Sequence, residues 1–173
     1  MPLIKNKQIA TDTWQHVDDK SVLPADGGVI VSLARWQAER SVLVGRNAPL
    51  GIRLKSDEGA DAIVDDLPHF DVVALEFPTF RDGRPYSIAR LLRERYHYTG
   101  ELRAVGDILR DQLLFMRRCG FDAFEYADKT TAEKAFSAFD EIGAVYQTAA
   151  DRRRSAAMIR NDTSNVFLNG TCG

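Results

Sequence analysis

The sequence predicts an α/β fold of about five sequential β-α units, forming a mainly parallel sheet that is open or a partial barrel. Three observations carry this expectation. Five short runs, Val29–Leu33, Gly51–Leu54, Val72–Phe77, Leu102–Val105 and Phe121–Tyr126, read as buried strands rich in β-branched and aromatic residues. Segments with apolar residues at helical spacing separate them, and strands alternating with helices argue parallel pairing with right-handed crossovers. A faint repeat supports the alternation: His69-Phe70-Asp71 precedes the third run as Gly120-Phe121-Asp122 precedes the fifth. Five units are too few to close an eight-fold barrel.

The elements follow in order. Residues 1–27 are mixed and read as a short irregular or hairpin lead-in to a single α/β domain over 1–150. A helix is the better reading over Arg35–Gly45, on Trp36, Val42 and Leu43, with a strand over Ser41–Val44 as the alternative, until Asn47-Ala48-Pro49 breaks it. Ser56 stands where an N-cap belongs, ahead of Asp57 and Glu58, and Ala62, Ile63 and Leu67 give the helix it would open an apolar face. The third helix spans Tyr86 to Tyr98, with Gly100 as its stop. Gly106-Asp107 opens the next, on Ile108, Leu109, Leu113, Phe115 and Met116, and Cys119-Gly120 closes it. Thr130 or Thr131 caps the last, whose face is Ala132, Ala135, Phe136, Phe139 and Ile142. Residues 151–173 form a polar C-terminal extension expected to be a mobile tail.

Composition excludes several classes. The chain has 173 residues, 45% hydrophobic and 28% charged, the balance of a soluble globule. A formal net charge of −2 gives no field favouring nucleic acid or an anionic membrane. No apolar run approaches the ~20 residues of a spanning helix, and Met1–Lys5 lacks the apolar core of a signal peptide. Cys119 and Cys172 make neither a disulfide framework nor a metal pair. A cytoplasmic protein is expected.

Parallel sheets bind ligands beyond the carboxyl ends of their strands, and that rule selects candidates. Glu76, Asp107 and Glu125 stand at successive strand ends as candidate catalytic acids and bases. Lys55 and Ser56 end the second strand. After the third, the turn from Phe77 into Arg90 joins a strand, a basic loop and a helix start, the parts of an anion site. Arg81, Arg84, Tyr86, Ser87 and Arg90, with Arg110 one turn into the next helix, are the candidate anion-binding residues. The plain alternative is that Ser56, Asp82 and Asp107 cap helices and the arginines are solvated or paired. No dinucleotide or phosphate-loop glycine pattern occurs. His16, His69 and His97 are isolated, so no metal site is indicated. With no Cys-x-x-Cys pattern, no iron–sulfur centre of the chain's own is expected and no cofactor is identifiable. Cys119 reads as a quiet core thiol, and Arg152–Arg154 as a solvated helix face.

The runs Asp71–Pro78, Phe80–Arg84, Tyr86-Ser87, Ala89–Arg93, Gly100–Asp107 and Phe115–Asp122 carry a resemblance. They are similar to a bacterial family of uncharacterised proteins described as a probable oxidoreductase involved in sulfite reduction. The likeness covers about Gly51 to Ala138. It implies a setting in assimilatory sulfite or sulfate reduction, with sulfite reductase or another sulfate-assimilation protein as partner, and it transfers no catalytic residue. The leading expectation is therefore an accessory protein of sulfite reduction. The alternatives are a barrel-like enzyme acting on a phosphorylated or carboxylated substrate, and a non-catalytic binding module. A further expectation attaches to Cys172, which on a flexible arm would relay sulfur or form a transient disulfide; against it stands an incidental cysteine.

Overall fold

The computed structural model of the chain describes residues 2–5, 8–136 and 158. Eight strands form one sheet: β1 (Pro2–Lys5), β2 (Gln8–Thr11), β3 (Trp14–His16), β4 (Gly28–Ser32), β5 (Leu50–Leu54), β6 (Val72–Phe77), β7 (Glu101–Gly106) and β8 (Ala123–Glu125). Their order is β2-β1-β8-β7-β6-β5-β4-β3. Pairing is parallel from β3 to β8, while β1 runs antiparallel to both β8 and β2. The five strands expected from the apolar runs are the parallel centre, β4 to β8. The five regular β-α units are not. Of the expected irregular or hairpin lead-in, the hairpin is the better description: β1 and β2 pair antiparallel on one side of the sheet, and β3 adds a third strand at the other edge.

The connectivity dictates the shape. The edge strands β2 and β3 lie at opposite ends of the order, yet only Asp12 and Thr13 join them. Three Cα steps reach at most about 11 Å. Eight strands laid flat would span about 34 Å. The sheet therefore curls strongly into an open half-barrel, which brings its far edges together. Small residues on the inner face permit the curl: Gly28, Gly51, Ala74 and Ala123 stand there by register. A Cβ on Gly28 would lie 2.7 Å from the Trp14 ring, so glycine lets that ring fold over the inner face.

The outer face is the dry core. Val29, Val31, Ile52, Leu54, Val73, Leu75, Phe77, Leu102, Ala104 and Phe124 pack there with Trp36, Ile63, Leu92, Leu113, Met116 and Phe121 of the covering segments. Burial of this size is the main favourable term in folding. Helix α1 (Leu33–Val44) is capped by Ser32, whose Oγ accepts from the Arg35 amide at 3.0 Å. The second connection is a 3-10 stretch, Ala60–His69, with Pro68 inside it. Ser56 caps nothing there, because its Oγ accepts from the Arg84 guanidinium instead. Helix α2 (Arg84–Arg90) continues as a π turn, Leu91–Arg95. Asp107 opens no helix: a 3-10 turn, Arg110–Gln112, leads into α3 (Leu113–Arg118). Gly106, at φ 98°, turns the chain there, and a Cβ would meet the Phe77 carbonyl oxygen at 2.4 Å. The cap of α4 (Lys129–Phe136) is Asp128, whose Oδ1 accepts from the Thr131 amide at 2.8 Å. Phe139, Ile142, Arg152–Arg154, Cys172 and the rest of the extension apart from Met158 lie outside the described residues.

Candidate functional site

At the carboxyl edge of the sheet a cleft of about 260 Å³ is lined by Lys55, Ser56, Asp57, Glu76, Pro78 and Arg84. Lys55 and Ser56 follow β5, Glu76 is the penultimate residue of β6, and Arg84 is the first residue of α2. A cation at a helix start opposes the helix dipole, and Asp82 compensates it. Its Oδ1 accepts from the Arg84 amide at 3.1 Å and from Nε at 3.0 Å, while Oδ2 accepts from Nη2 at 2.6 Å. The Arg84 side-chain and amide hydrogen bonds hold the Asp82 carboxyl well below its usual range, against a smaller opposing push from desolvation. Nη2 also donates to Ser56 Oγ at 2.9 Å, tying the β6–α2 turn to the end of β5. Arg84 Nη1 and Lys55 Nζ have no partner among the described residues. This edge thus presents two cations with donors to spare.

Behind the cleft, the inner face carries charge. Glu76, Arg53, Glu101, Arg103 and Glu125 alternate with the apolar outer residues of β5 to β8, as the two-residue period of a strand requires. Arg53 Nε approaches Glu76 Oε2 at 3.7 Å. Arg103 is fully buried and meets three carboxylates: Asp12 at 2.7 Å, Glu101 at 2.8 Å and Glu125 at 3.3 Å. His16 Nε2 lies 3.0 Å from Glu125 Oε2, and Lys5 Nζ 2.7 Å from Glu101 Oε2. The His16 contact reaches from the edge strand β3 across the curled sheet to β8, and the Asp12 contact from the β2–β3 link to β7. Burial pushes the Glu125 carboxyl up, but the His16 hydrogen bond and charge, with Arg103, outweigh it and leave the carboxyl below its usual value. Burial likewise opposes the Arg103 charge, and Glu101 and Asp12 more than restore it. Arg103 Nη2 is buried without a hydrogen-bond partner.

The candidate residues separate by geometry. Glu76 and Glu125 share the inner face at strand ends, with Val105 between them in register, so about 10 Å separates their backbones. Asp107 lies outside that face and accepts from the Phe80 amide at 3.1 Å, bracing the β6–α2 turn. Of the six anion-site candidates, Arg84 alone lines the cleft. Arg81 stacks over the Phe80 ring at 5.4 Å. Tyr86 packs against Phe77 and Phe115, and burial pushes its phenol up. Ser87 is exposed on α2. Arg90 pairs with Glu94 at 3.1 Å, and Arg110 Nε donates to the Lys134 carbonyl at 3.1 Å. Cys119 is buried, and desolvation pushes its thiol up, as suits a core residue.

Asp12, His16, Arg53, Glu101 and Arg103 escape the strand-end rule. A signal for three of them was present. Arg53 between Ile52 and Leu54, and Glu101 and Arg103 flanking Leu102, place charges at every second position of a parallel strand, where an apolar run is the norm. Among the described residues no group of histidines, cysteines or carboxylates has the makings of a metal site, and no helix is long and apolar enough to cross a membrane.

A family model described as "bacterial protein of unknown function (DUF934)" matches residues 51–157, which include the whole cleft together with Arg103 and Glu125. No curated protein and no solved structure matches the chain.

Proposed function

The chain belongs to this bacterial family of unknown function, and from that starting point we propose that it is an accessory protein of assimilatory sulfite or sulfate reduction which holds a small oxyanion at the carboxyl edge of its sheet. The observation that carries the reading is the pair of unengaged donors in one cleft, Arg84 Nη1 and Lys55 Nζ, beside the Ser56 hydroxyl. Charge-assisted hydrogen bonds of this kind are the usual means of holding a tetrahedral or pyramidal oxyanion. Glu76 on the same wall supplies a carboxylate for a protonated form of the ligand. The resemblance of residues 51–138 to proteins described alongside sulfite reduction supplies the setting. Any oxidoreductase chemistry belongs, on this reading, to the reductase that the protein serves.

Growth of a deletion strain with sulfate as sole sulfur source tests the proposal. Slow growth that wild-type protein restores and Arg84→Glu does not is the expected result. Normal growth of the deletion strain would count against it.

A second reading has its own observation. The His16–Glu125 pair beside Arg103 is the acid–base grouping of a barrel-like enzyme acting on a phosphorylated or carboxylated substrate. On that reading, mass spectrometry of purified protein finds such a compound retained, and Glu125→Gln retains more of it. Protein that carries none in either form excludes this reading and leaves the first.

A further inference from the structure

The oxyanion cleft holds acids as well as cations, and that mixture restricts what it can take; the inference drawn from it rests on the function proposed above. Lys55 and Arg84 share the lining with Asp57 and Glu76. Asp57 is exposed and keeps its own hydration. Glu76 is more enclosed, with its side chain 34% exposed, and neither of its carboxylate oxygens takes a hydrogen bond from a described residue. Arg53 Nε stands 3.7 Å from Oε2, near enough to attract the charge and too far to hydrogen-bond it. On β7, Val105 lies beside Glu76 in register, so that strand brings no charge to it. The charges around Glu76 are thus Arg53 on β5, Lys55 and Asp57 after β5, and Arg84 at the start of α2, whose other acid, Asp82, is committed to the guanidinium.

The lining therefore makes two demands of a ligand. Arg84 Nη1 and Lys55 Nζ are donors and need oxygens that accept. Glu76 is a carboxylate, which accepts and does not donate. An oxyanion with no proton sets its own oxygens against Glu76, charge against charge, and leaves a half-buried acceptor unpaired. An oxyanion that keeps one hydroxyl donates it to Glu76, while its remaining oxygens accept from Arg84 and Lys55. A site built to hydrogen-bond a ligand hydroxyl rejects the analogue that lacks it, and a repulsive contact against the wrong ligand is a regular source of specificity. Size does not decide the matter, because a cleft of about 260 Å³ admits sulfite, phosphate and sulfate alike.

We propose that Glu76 is the specificity-determining residue of this cleft, selecting an oxyanion that carries a proton, either hydrogensulfite in its hydroxyl form or a hydrogen phosphate, and rejecting sulfate. The sign of the pH dependence follows from the ligand. Sulfite and phosphate are each close to shedding their last proton near neutrality, so their binding strengthens from mildly alkaline to mildly acidic buffer. Sulfate has no proton to offer in either and stays weakly bound.

Calorimetric titration of the full chain with sulfite, phosphate and sulfate, in both buffers at one ionic strength, tests the proposal. Wild type should bind sulfite or phosphate at least about tenfold more tightly than sulfate, and more tightly in the mildly acidic buffer. The tighter of the two identifies the source of the hydroxyl. Glu76→Gln keeps the shape and adds a donor; with its circular dichroism unchanged, it should bring sulfate within about threefold of the preferred anion and lose the pH dependence. Sulfate bound by wild type as tightly as sulfite and phosphate, or a folded Glu76→Gln protein that still rejects sulfate, overturns the assignment of Glu76. If Arg84→Glu abolishes binding in that case, the oxyanion reading stands without it. Wild type that binds none of the three anions overturns both.

Discussion

Inside the half-barrel, Arg103 is fully buried and meets three carboxylates, whereas on the carboxyl rim Arg84 has a side chain 60% exposed and meets one. Both arginines sit on or beside the central parallel strands, and both are held in place by acids. The difference lies in solvent. Taking a guanidinium out of water is costly enough that its partners must be committed to it. Asp12, Glu101 and Glu125 are so committed, and they tie the β2–β3 link, β7 and β8 together. Arg84 keeps its hydration, needs only Asp82 and Ser56 to orient it, and retains a free Nη1. The inner network closes the sheet on itself, and the rim is left to receive a ligand.

The comparison is most easily broken at Arg103. Arg103→Ala leaves three buried carboxylates facing one another and is expected to cost about 3–5 kcal/mol in chemical denaturation. Arg84→Ala should leave the denaturation midpoint where it is. Equal effects of the two would erase the distinction between interior and rim. On the outer face, Leu75→Ala should cost about 2–5 kcal/mol by opening a cavity in the dry core. A smaller loss there than at an exposed leucine such as Leu91 would mean that this face is not the principal core.

Acid sharpens the contrast further. The Glu125 carboxyl is held below its ordinary range in the folded chain, so its contribution is present above the unfolded value and is lost as pH falls through the folded one. Urea midpoints measured from pH 7 downward should therefore fall in the acid range, and Glu125→Gln should flatten that fall. A slope unchanged by the substitution would show that the pair with His16 and Arg103 does not stabilise the fold. The smallest effect belongs to Arg90→Ala, which removes an exposed i,i+4 pair with Glu94 and should cost no more than about 0.5 kcal/mol. It should also leave oxyanion binding intact.

The parallel centre was legible because its strands are apolar runs, buried by the helices that alternate with them. The first three strands were not. They are three or four residues long, and of their residues only Leu3 and Ile4 are buried, so no period emerges from their polar context. The segment read as a helix from Asp57 is a 3-10 stretch over Ala60–His69, and the one read from Gly106 begins with a 3-10 turn; in both, tertiary context overrides the local propensity. Glu76, Glu125 and Arg84 were reachable from the strand-end rule. Arg103 left a trace as a charge in a parallel strand, but its pairing with Asp12 and that of His16 with Glu125 were hidden, because these partners stand 91 and 109 residues apart along the chain. Only the closure of the sheet brings such pairs together.

Calorimetric titration of the purified protein with sulfite and with sulfate tests the central claim most directly, run on wild type and on Arg84→Glu at the same ionic strength. The rim reading predicts that wild type binds one of the two anions, and that Arg84→Glu, whose fold is unchanged by circular dichroism, binds it at least about tenfold more weakly. Equal binding by the two proteins, or no binding of either anion by wild type, would contradict it.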